Sequence, residues 1–256
     1  MTDFISWFSC GGASATATKL ALSEFGKKNV RVIHQKTNSE HLDSQRFLLE
    51  CQDWFGVDIE IQQSNEYADI WDVFSKTRFL VGPTGARCTS ELKRKLAESA
   101  INYGPNQETE IFGYTVEEAH RVARFTEQNN ERRIYAILID RGLTKQDCLG
   151  FVDRAGIAIP AMYKLGYQNN NCIGCVKGQA GYWNKIRFDF PDVFERMAKV
   201  EEDLGRAICK REWIEDGKRK LERIPLRDLP TNLGDYSSEP DIQCGLICMS
   251  EHDSAT

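Results

Sequence analysis

The chain has 256 residues, of which 41% are hydrophobic, and carries a formal net charge of -5 at pH 7. This length and composition predict one large domain, or a domain with appendages, that has an adequate core, and the acidic balance is not a general nucleic-acid-binding signature. No apolar run is long enough to span a membrane, and the first residues resemble neither a signal peptide nor a basic transit peptide, so we predict a cytoplasmic protein.

The first twenty residues predict a strand, a tight turn and a helix. The apolar run Phe4–Phe8 is typical of a buried strand, residues 9–14 (SCGGAS) are all small, and helix-forming residues follow. Backbone N–H groups at such a turn and helix start bind anions, so we predict a phosphate site to which the hydroxyls of Ser9 and Ser14 also donate. The alternative is an ordinary strand–helix turn in which Ser14 caps the helix.

Strand and helix patterns alternate along the following residues. Strands are predicted at 31–35, 57–61, 110–114 and 134–139, helices at 42–55 and from 144 onward, and a helix or a loop at 69–79. The run Ile134–Ile139 is the most strand-like and is predicted to be a central strand. Repeated strand–helix–strand units predict an α/β fold, with a mostly parallel twisted sheet, helices on both faces, and a ligand at the carboxyl ends of the strands.

Two basic segments are candidate contacts for an anionic ligand. Thr89 or Ser90 is predicted to cap a helix that carries Lys93, and Cys88 then lies near a helix N-terminus, where a thiol pKa is lowered. This position favours a metal ligand or a nucleophile, and the alternative is a buried loop cysteine. The helix after residue 113 carries Arg121, which suits bidentate binding of phosphate or sulfate, or else pairs with glutamates on a solvated face.

The chain contains nine cysteines, more typical in a cytoplasmic protein of metal binding or catalysis than of disulfides. The most specific motif is Cys172-Ile-Gly-Cys175, a turn that aims two sulfurs at one point and serves zinc, an iron–sulfur cluster or a redox dithiol. Cys51 and Cys148 have helical spacing within apolar patterns and are predicted to be core residues.

The last fifty residues differ in composition from the rest. A helix is predicted to begin near Pro191 and to stop at Gly205. The basic segment Lys210–Arg223 is predicted to be a solvated helix, or alternatively a polyanion-binding strip. We predict a nucleotide-binding domain over 1–205 and a C-terminal extension over 206–256.

From Pro225 onward the composition predicts an irregular tail, which carries Cys244 and Cys248. A cysteine on such a tail can swing into a site, react, and swing out to be reduced. The alternative is that the tail thiols are incidental.

Taken in order, these blocks resemble the phosphoadenosine phosphosulfate (PAPS) and adenosine phosphosulfate (APS) reductases, a branch of the pyrophosphate-loop adenine nucleotide alpha-hydrolase superfamily. The turn at 9–14 is similar to the loop S-G-G-x-D-S, with Cys10 and Ala13 in place of a Gly and the Asp. The segments at 87–93, 113–121, 163–175 and 243–246 resemble the C-C-x-x-x-K, G-x-R-x-x-x-S-x-x-R, L-Y-x-x-G-Y…G-C-x-x-C and E-C-G-L-H blocks. The whole is most similar to divergent members found in phages and mobile elements.

The resemblance implies a Rossmann-like adenine nucleotide alpha-hydrolase fold and the reduction of PAPS or APS to sulfite and the adenosine nucleotide. It implies that Cys244 is the catalytic nucleophile, that Cys248 assists as a resolving thiol, and that a thioredoxin- or glutaredoxin-like thiol donor completes the reaction. The implied nucleotide contacts are Ser9, Cys10, Gly11, Gly12, Ser14, Lys93 and Arg121. A homodimer is a further family-level expectation.

The resemblance also implies that Cys88, Cys172 and Cys175 hold a metal centre, with a 4Fe–4S cluster expected and zinc as the alternative. The fourth ligand is Cys244, Cys248 or Cys148, or is absent. Two other functions stay open. One is an ATP-dependent, adenylating sulfur transferase that modifies nucleic acid, with Lys210–Arg223 as the polyanion contact. The other is a non-catalytic nucleotide-binding module with a structural metal.

Overall fold

The computed structural model describes residues 3–82 and 85–242, which form two compact units. Residues 3–65 and 92–170 make up the first unit, and residues 66–82, 85–91 and 171–242 make up the second. The domain boundary predicted at residue 205 stays a prediction, because a compact unit is not necessarily an independently folding domain. Among the described residues, no helix combines the length and the apolar character needed to cross a membrane.

Strands and helices alternate through most of the described chain. The strands are β1 (Phe4–Trp7), β2 (Val30–Lys36), β3 (Ile59–Gln63), β4 (Val81–Gly82), β5 (Gly85–Ala86), β6 (Thr109–Ile111), β7 (Ile134–Tyr135), β8 (Cys209–Glu215) and β9 (Lys218–Ile224). The helices are α1 (Gly12–Phe25), α2 (Asp43–Phe55), α3 (Ile70–Thr77), α4 (Arg87–Thr89), α5 (Lys95–Ala100), α6 (Ala119–Gln128), α7 (Ile137–Asp140), α8 (Lys145–Arg154), α9 (Ala161–Lys164), α10 (Ala180–Asp189) and α11 (Pro191–Leu204). A π-helical turn, Ser90–Arg94, joins α4 to α5.

The first unit is built on a parallel sheet whose five described strands run in the order β3-β2-β1-β6-β7. Phe4 is opposite Val30 of β2 on one side and Thr109 of β6 on the other. The predicted α/β fold with a parallel sheet flanked by helices is therefore confirmed. Because the chain moves outward from β1 to β3 in one direction and from β6 to β7 in the other, the strand order reverses between β1 and β6. In open α/β sheets, ligands bind beyond the carboxyl ends of the strands at this point.

Helix α1 packs between two apolar clusters of this unit. Cys51 lies in one cluster with Phe8 and Phe47, and Cys148 lies in the other with Ile111. Burial raises the pKa of each of these two thiols to about 12. The prediction that they are core residues is confirmed.

The prediction of a central strand over Ile134–Ile139 is wrong. Only Ile134 and Tyr135 are in a strand, at the edge of the sheet, and the chain then forms helix α7. Ile137 and Leu138 are fully buried in the cluster that contains Cys148. A short apolar run fits a buried helical turn as well as it fits a buried strand.

The structure also excludes Ser14, the alternative reading of the first turn, as an N-cap, and the predicted cap at Thr89 or Ser90 is wrong. The N-cap of α1 is Gly11, so Ser14 lies within the first turn of the helix. Helix α4 begins at Arg87 after the N-cap residue Ala86, so the chain is already helical at Thr89. Cys88 therefore lies inside the first turn.

In the second unit, α11 begins at Pro191 and ends at the left-handed Gly205, as predicted. Residues 209–224 form an antiparallel hairpin of β8 and β9 rather than the predicted helix. Asp216 and Gly217 make the turn with φ values of 51° and 71°, the conformation of the two-residue turn that matches strand twist. An Asp-Gly pair between alternating residues is a hairpin signal, and it outweighs the charge pattern that suggested a helix.

Both ends of this hairpin are held by one buried carboxylate, that of Glu201 in α11. Its oxygens accept hydrogen bonds from the backbone N–H of Ile208 (2.7 Å) and of Leu226 (2.6 Å). Burial raises the pKa of Glu201. The residues that precede β8 and follow β9 are therefore fastened to the same point.

Candidate functional site

The predicted phosphate loop lies between β1 and α1, at the carboxyl end of the central strand. Cys10 has a φ of 58°, in the left-handed region that glycine adopts at little cost. This residue turns the chain sharply from the strand into the helix. The predicted strand, turn and helix are all present.

Ser14 organises the loop through its hydroxyl. Its Oγ accepts hydrogen bonds from the backbone N–H of Ser9 (3.1 Å) and of Gly11 (3.3 Å), and donates to the carbonyl of Gly11 (3.0 Å). The hydroxyl of Ser9 also donates to it, at 3.1 Å. The loop therefore holds amide and hydroxyl donors around one oxygen atom.

Tyr163, in α9, covers the other side of the loop. Its hydroxyl oxygen accepts a hydrogen bond from the backbone N–H of Gly12 (3.3 Å). A Cβ atom at Gly11 would lie 3.2 Å from the same oxygen, so this position has little room for a side chain. The sequence motifs contained Tyr163, but sequence reasoning did not predict it as a site residue. Its position in the L-Y-x-x-G-Y block was the available signal.

Gly113 brings the end of β6 against the start of α1. A Cβ atom at Gly113 would lie 2.5 Å from the amide nitrogen of Ser14, so glycine is required at this position. Gly12 is similarly close to helix α8, since a Cβ there would lie 2.6 Å from Cδ2 of Leu149. Segments far apart in the sequence therefore meet at the loop where the strand order reverses.

Cys10 presents its side chain to the interior and not to the mouth of the loop. Its Sγ lies 3.6 Å from Nδ1 of His34, whose ring also bonds the carbonyl of Phe8 (2.9 Å). Burial raises the pKa of the Cys10 thiol well above its ordinary value and lowers the pKa of His34. Both side chains are neutral at pH 7, so a ligand contact by Cys10 would use its backbone. Asn170 holds that backbone by donating to the carbonyl of Cys10 (2.8 Å).

A pair of opposite charges lies beside the loop. Burial tends to raise the pKa of Glu40, but hydrogen bonds from Thr37 and the positive charge of Lys93 outweigh it and hold the pKa below its usual range. The charge of Lys93 also acts on Cys10 and His34. The predicted nucleotide contact Lys93 thus contributes positive potential near the carboxyl ends of the strands.

Arg121 is already engaged by its own helix. Its guanidinium forms an ion pair with Glu118 and lies 4.9 Å from the ring of Tyr114. This geometry matches the alternative expectation of a Glu–Arg pair on the helix. Its role in binding phosphate or sulfate stays a prediction that requires the ion pair to open.

The C-x-x-C turn is a buried part of the second unit. Cys172 and Cys175 are only 7% and 6% exposed. The hydroxyl of Tyr182 accepts hydrogen bonds from the backbone N–H groups of Gly174 and Cys175, both at 3.0 Å. Burial first and then the nearby Cys175 raise the pKa of Tyr182, so the turn closes around a neutral phenol.

Within residues 3–82 and 85–242, no three His, Cys, Asp or Glu side chains group closely enough to hold a metal ion. The described residues of the turn offer two sulfurs, and Cys88 does not complete a three-ligand group with them. These residues alone therefore do not fit a cluster or a zinc ion. The iron–sulfur and zinc sites stay predictions that need ligands from elsewhere in the chain.

The end of the described chain is fastened next to this turn. The carboxylate of Glu239 accepts hydrogen bonds from the backbone N–H groups of Gly181 and Tyr182, in the first turn of α10. Asn171 donates from its side chain to the carbonyl of Ile242 (2.9 Å). The predicted catalytic residues Cys244 and Cys248 lie outside the described residues, but Ile242 precedes Cys244 by two positions.

No model of a known protein family matches the chain, and no curated protein matches its sequence. The family resemblance of the motifs stays a prediction.

Proposed function

We propose that the protein binds an adenine nucleotide at the loop of residues 9–14 and reduces an adenylyl-sulfate nucleotide, PAPS or APS, to sulfite. One observation carries this proposal: Gly113 and Tyr163, from two distant motifs, contact that loop at the place where the strand order reverses. Such a place is where α/β sheets bind nucleotides.

The loop offers its donors to the phosphates. The N–H groups of Ser9, Gly11 and Gly12 donate to hydroxyl oxygens of Ser14 and Tyr163. A phosphate oxygen is a stronger acceptor than a hydroxyl oxygen, because it is charged. We expect it to take over these donors as the two hydroxyls turn to donate to it.

The reduction requires a thiolate nucleophile, which we assign to Cys244. Its sulfur attacks the sulfate sulfur, an S–S bond forms, and the bond to the phosphate oxygen breaks with its electron pair on the leaving nucleotide. A dithiol donor of the thioredoxin or glutaredoxin class then attacks the Cys244 sulfur and releases sulfite. The second thiol of the donor closes its own disulfide and frees Cys244.

Cys244 follows Ile242 by two positions in the sequence, and the carbonyl of Ile242 accepts a hydrogen bond from Asn171, the neighbour of Cys172. Alternatively, Cys248 acts as the attacking thiol, and the disulfide then forms between Cys244 and Cys248 before the donor reduces it. These steps use only the thiols of the chain and of the donor. An iron–sulfur cluster, if tail ligands complete one at Cys172 and Cys175, would have a structural or electrostatic role.

Nucleotide binding is tested by calorimetry with PAPS, APS and ATP. Tyr163→Phe and Ser14→Ala remove hydroxyls from the loop, and each is expected to weaken binding by about 3- to 10-fold, the value of one hydrogen bond. Tyr103→Phe is the matched control, because Tyr103 is an exposed tyrosine of the same unit. Equal affinity of all variants would contradict the nucleotide site.

Turnover is tested by sulfite release in the presence of a dithiol donor. Cys244→Ser is expected to abolish release and to leave nucleotide binding unchanged, whereas sulfite release by this variant would refute the assignment. Pyrophosphate release from ATP that depends on added RNA or DNA would instead favour the adenylating sulfur transferase. Anaerobic purification with iron, sulfide and zinc assays tests the metal separately.

A further inference from the structure

The hairpin of β8 and β9 projects from the second unit as a two-stranded ribbon. Residues 211–223 are all exposed, on both faces of the ribbon. Within the described chain, β8 pairs with β9 and with no other strand. A hairpin of two strands is marginally stable in water without further packing.

The ribbon also exposes large apolar side chains. Ile214 is 78% exposed, Leu221 51% and Trp213 38%. A free strand edge flanked by such side chains is a template for pairing with another strand. Each feature points to a partner that adds a strand.

We propose that this partner is a second copy of the chain, and that β8 pairs antiparallel with β8 of the second copy about a two-fold axis at Trp213. The result is one four-stranded sheet in the order β9-β8-β8-β9. A two-fold interface is isologous, so each cross-strand pair occurs twice. Trp213 then lies opposite the partner's Trp213.

The charges along β8 select this register. Arg211 lies opposite Glu215 of the partner subunit, and Lys210 comes close to Asp216 of the partner subunit, the first residue of the turn. Opposite charges directly across a sheet stabilise the pairing, and like charges destabilise it. Counting both halves of the interface, two directly opposed pairs and two pairs beside the turns are therefore favourable.

Other two-fold registers of the ribbon place like charges opposite each other. If the two-fold axis lies at residue 210, 211, 212 or 215 of β8, the charged residue at the axis lies opposite the same residue of the second copy. If it lies at residue 214, Glu212 comes close to the partner's Asp216. If the axis lies at residue 218, 219, 220, 222 or 223 of β9, a charged residue again lies opposite itself. If it lies at residue 221, Arg219 lies opposite the partner's Arg223. Among the axes at residues 210–215 and 218–223, only the axis at Trp213 avoids both faults.

The charge distribution disfavours a nucleic acid as the occupant. Arg211 is paired with Glu222 (2.8 Å), Lys210 with Glu212 (2.7 Å), and Arg219 with Glu212. A polyanion would have to displace these carboxylates from the basic side chains. A second ribbon instead brings both positive and negative side chains, which can pair with those of the first.

The oligomeric state of charge variants tests the proposal. Light scattering after gel filtration is expected to show a dimer for the wild type, and a dimer dissociation constant at least about tenfold weaker for Arg211→Glu and for Glu215→Arg, since each converts two attractive pairs into repulsive ones. The double variant Arg211→Glu/Glu215→Arg restores opposite charges across the axis and is expected to recover the dimer.

Glu222→Lys is the matched control. It breaks the same internal ion pair of Arg211 but lies on β9, so we expect it to remain dimeric. A wild-type monomer at about 100 µM, well above the micromolar range of weak complexes, would overturn the proposal. So would a dimer that the single charge reversals leave intact, or a monomer that captures nucleic acid through the ribbon.

Cross-linking tests the register. Trp213→Cys is expected to give a disulfide-linked dimer when oxidised by oxygen with copper–phenanthroline, because the two introduced thiols meet at the axis. Leu221→Cys, a more exposed position on β9, is expected to stay monomeric on a non-reducing gel, as is the wild type. Cross-linking of the Leu221→Cys variant but not of the Trp213→Cys variant, or of neither, would overturn the register.

Discussion

Gly113 lies directly against the backbone of Ser14, which leaves no space for a Cβ atom at residue 113. Such an atom would approach the amide nitrogen of Ser14 to 2.5 Å and its Cα to 2.6 Å. The end of β6 and the first turn of α1 are therefore in backbone contact, and the shape of the loop depends on a hydrogen atom at residue 113.

We expect Gly113→Ala to lower the free energy of unfolding by about 1–3 kcal/mol, because the backbone must shift to relieve the overlap. It should also weaken nucleotide binding, because Ser14 moves with the helix. Urea denaturation and calorimetry measure the two effects. Gly150→Ala is the control, since a Cβ at this helical glycine would meet only the flexible end of Arg154, and it should gain about 0.5–1 kcal/mol. Equal stability of the two variants would contradict the contact.

The left-handed backbone at Cys10 predicts an unusual ranking of substitutions. Cys10→Gly and Cys10→Ala both remove the buried sulfur, so their difference isolates the backbone conformation at φ 58°. Alanine is strained in this region and glycine is not, so the glycine variant should be more stable by about 1 kcal/mol. Urea denaturation of the pair checks this, and an alanine variant as stable as the glycine variant would show that the turn is not constrained.

A buried ion pair joins the central strands to the edge of the sheet. Glu110 of β6 is fully buried, and it accepts from Nε of Arg132 (2.7 Å) and from the indole N–H of Trp7 (2.8 Å). Arg132→Met leaves the carboxylate without its partner charge, and we expect a loss of about 3–5 kcal/mol in unfolding free energy.

Exposed Arg133→Met serves as the control and should change stability by less than about 0.5 kcal/mol. Adding Glu110→Gln to Arg132→Met removes the unpaired charge and should recover part of the loss. A double variant no more stable than Arg132→Met would mean that packing, and not charge, sets the cost.

His34 gives the stability a defined dependence on pH. Burial lowers its pKa in the folded protein, whereas the unfolded chain titrates near 6.5. Below this value the unfolded state binds a proton that the folded state does not, so stability falls as the pH drops from about 6.5, by at most about 1.4 kcal/mol per pH unit.

Because Gln does not titrate, His34→Gln should make the free energy of unfolding less dependent on pH between pH 5.5 and 7, a window set by the histidine pKa of about 6.5. This holds even if the substitution lowers the free energy of unfolding at every pH. The wild-type protein should show the full slope. Thermal unfolding across this window measures both, and an unchanged slope in His34→Gln would show that another group causes the acid sensitivity.

The features that could be predicted from the sequence are those set by residues close together in the chain. The β1–turn–α1 unit, the second strand and helix, the Pro191 start and Gly205 end of α11, and the core cysteines follow from local patterns. The run Ile134–Ile139 did not, because burial of Ile137 against α1 favours a helical turn that the apolar pattern does not distinguish from a strand.

The site itself was only partly predictable. Ser9 and Ser14 are local to the turn, but the contact of Tyr163 with Gly12 spans 151 positions and no local pattern encodes it. The inward side chain of Cys10 depends on His34, which lies on another strand. Arg121 was assigned to a ligand from its residue type, and the structure pairs it with Glu118 three positions earlier.

Glu201 fixes the base of the ribbon formed by β8 and β9 and leaves its tip unsupported. Because one carboxylate grips the chain on entry at Ile208 and on exit at Leu226, the base cannot hinge without breaking two hydrogen bonds in the interior. The strands can twist and bow toward their tip, but their direction is set by α11. A strand that binds to β8 is therefore held at a fixed angle to α11. Replacing Glu201 would remove both hydrogen bonds and allow the ribbon to change its direction relative to that helix.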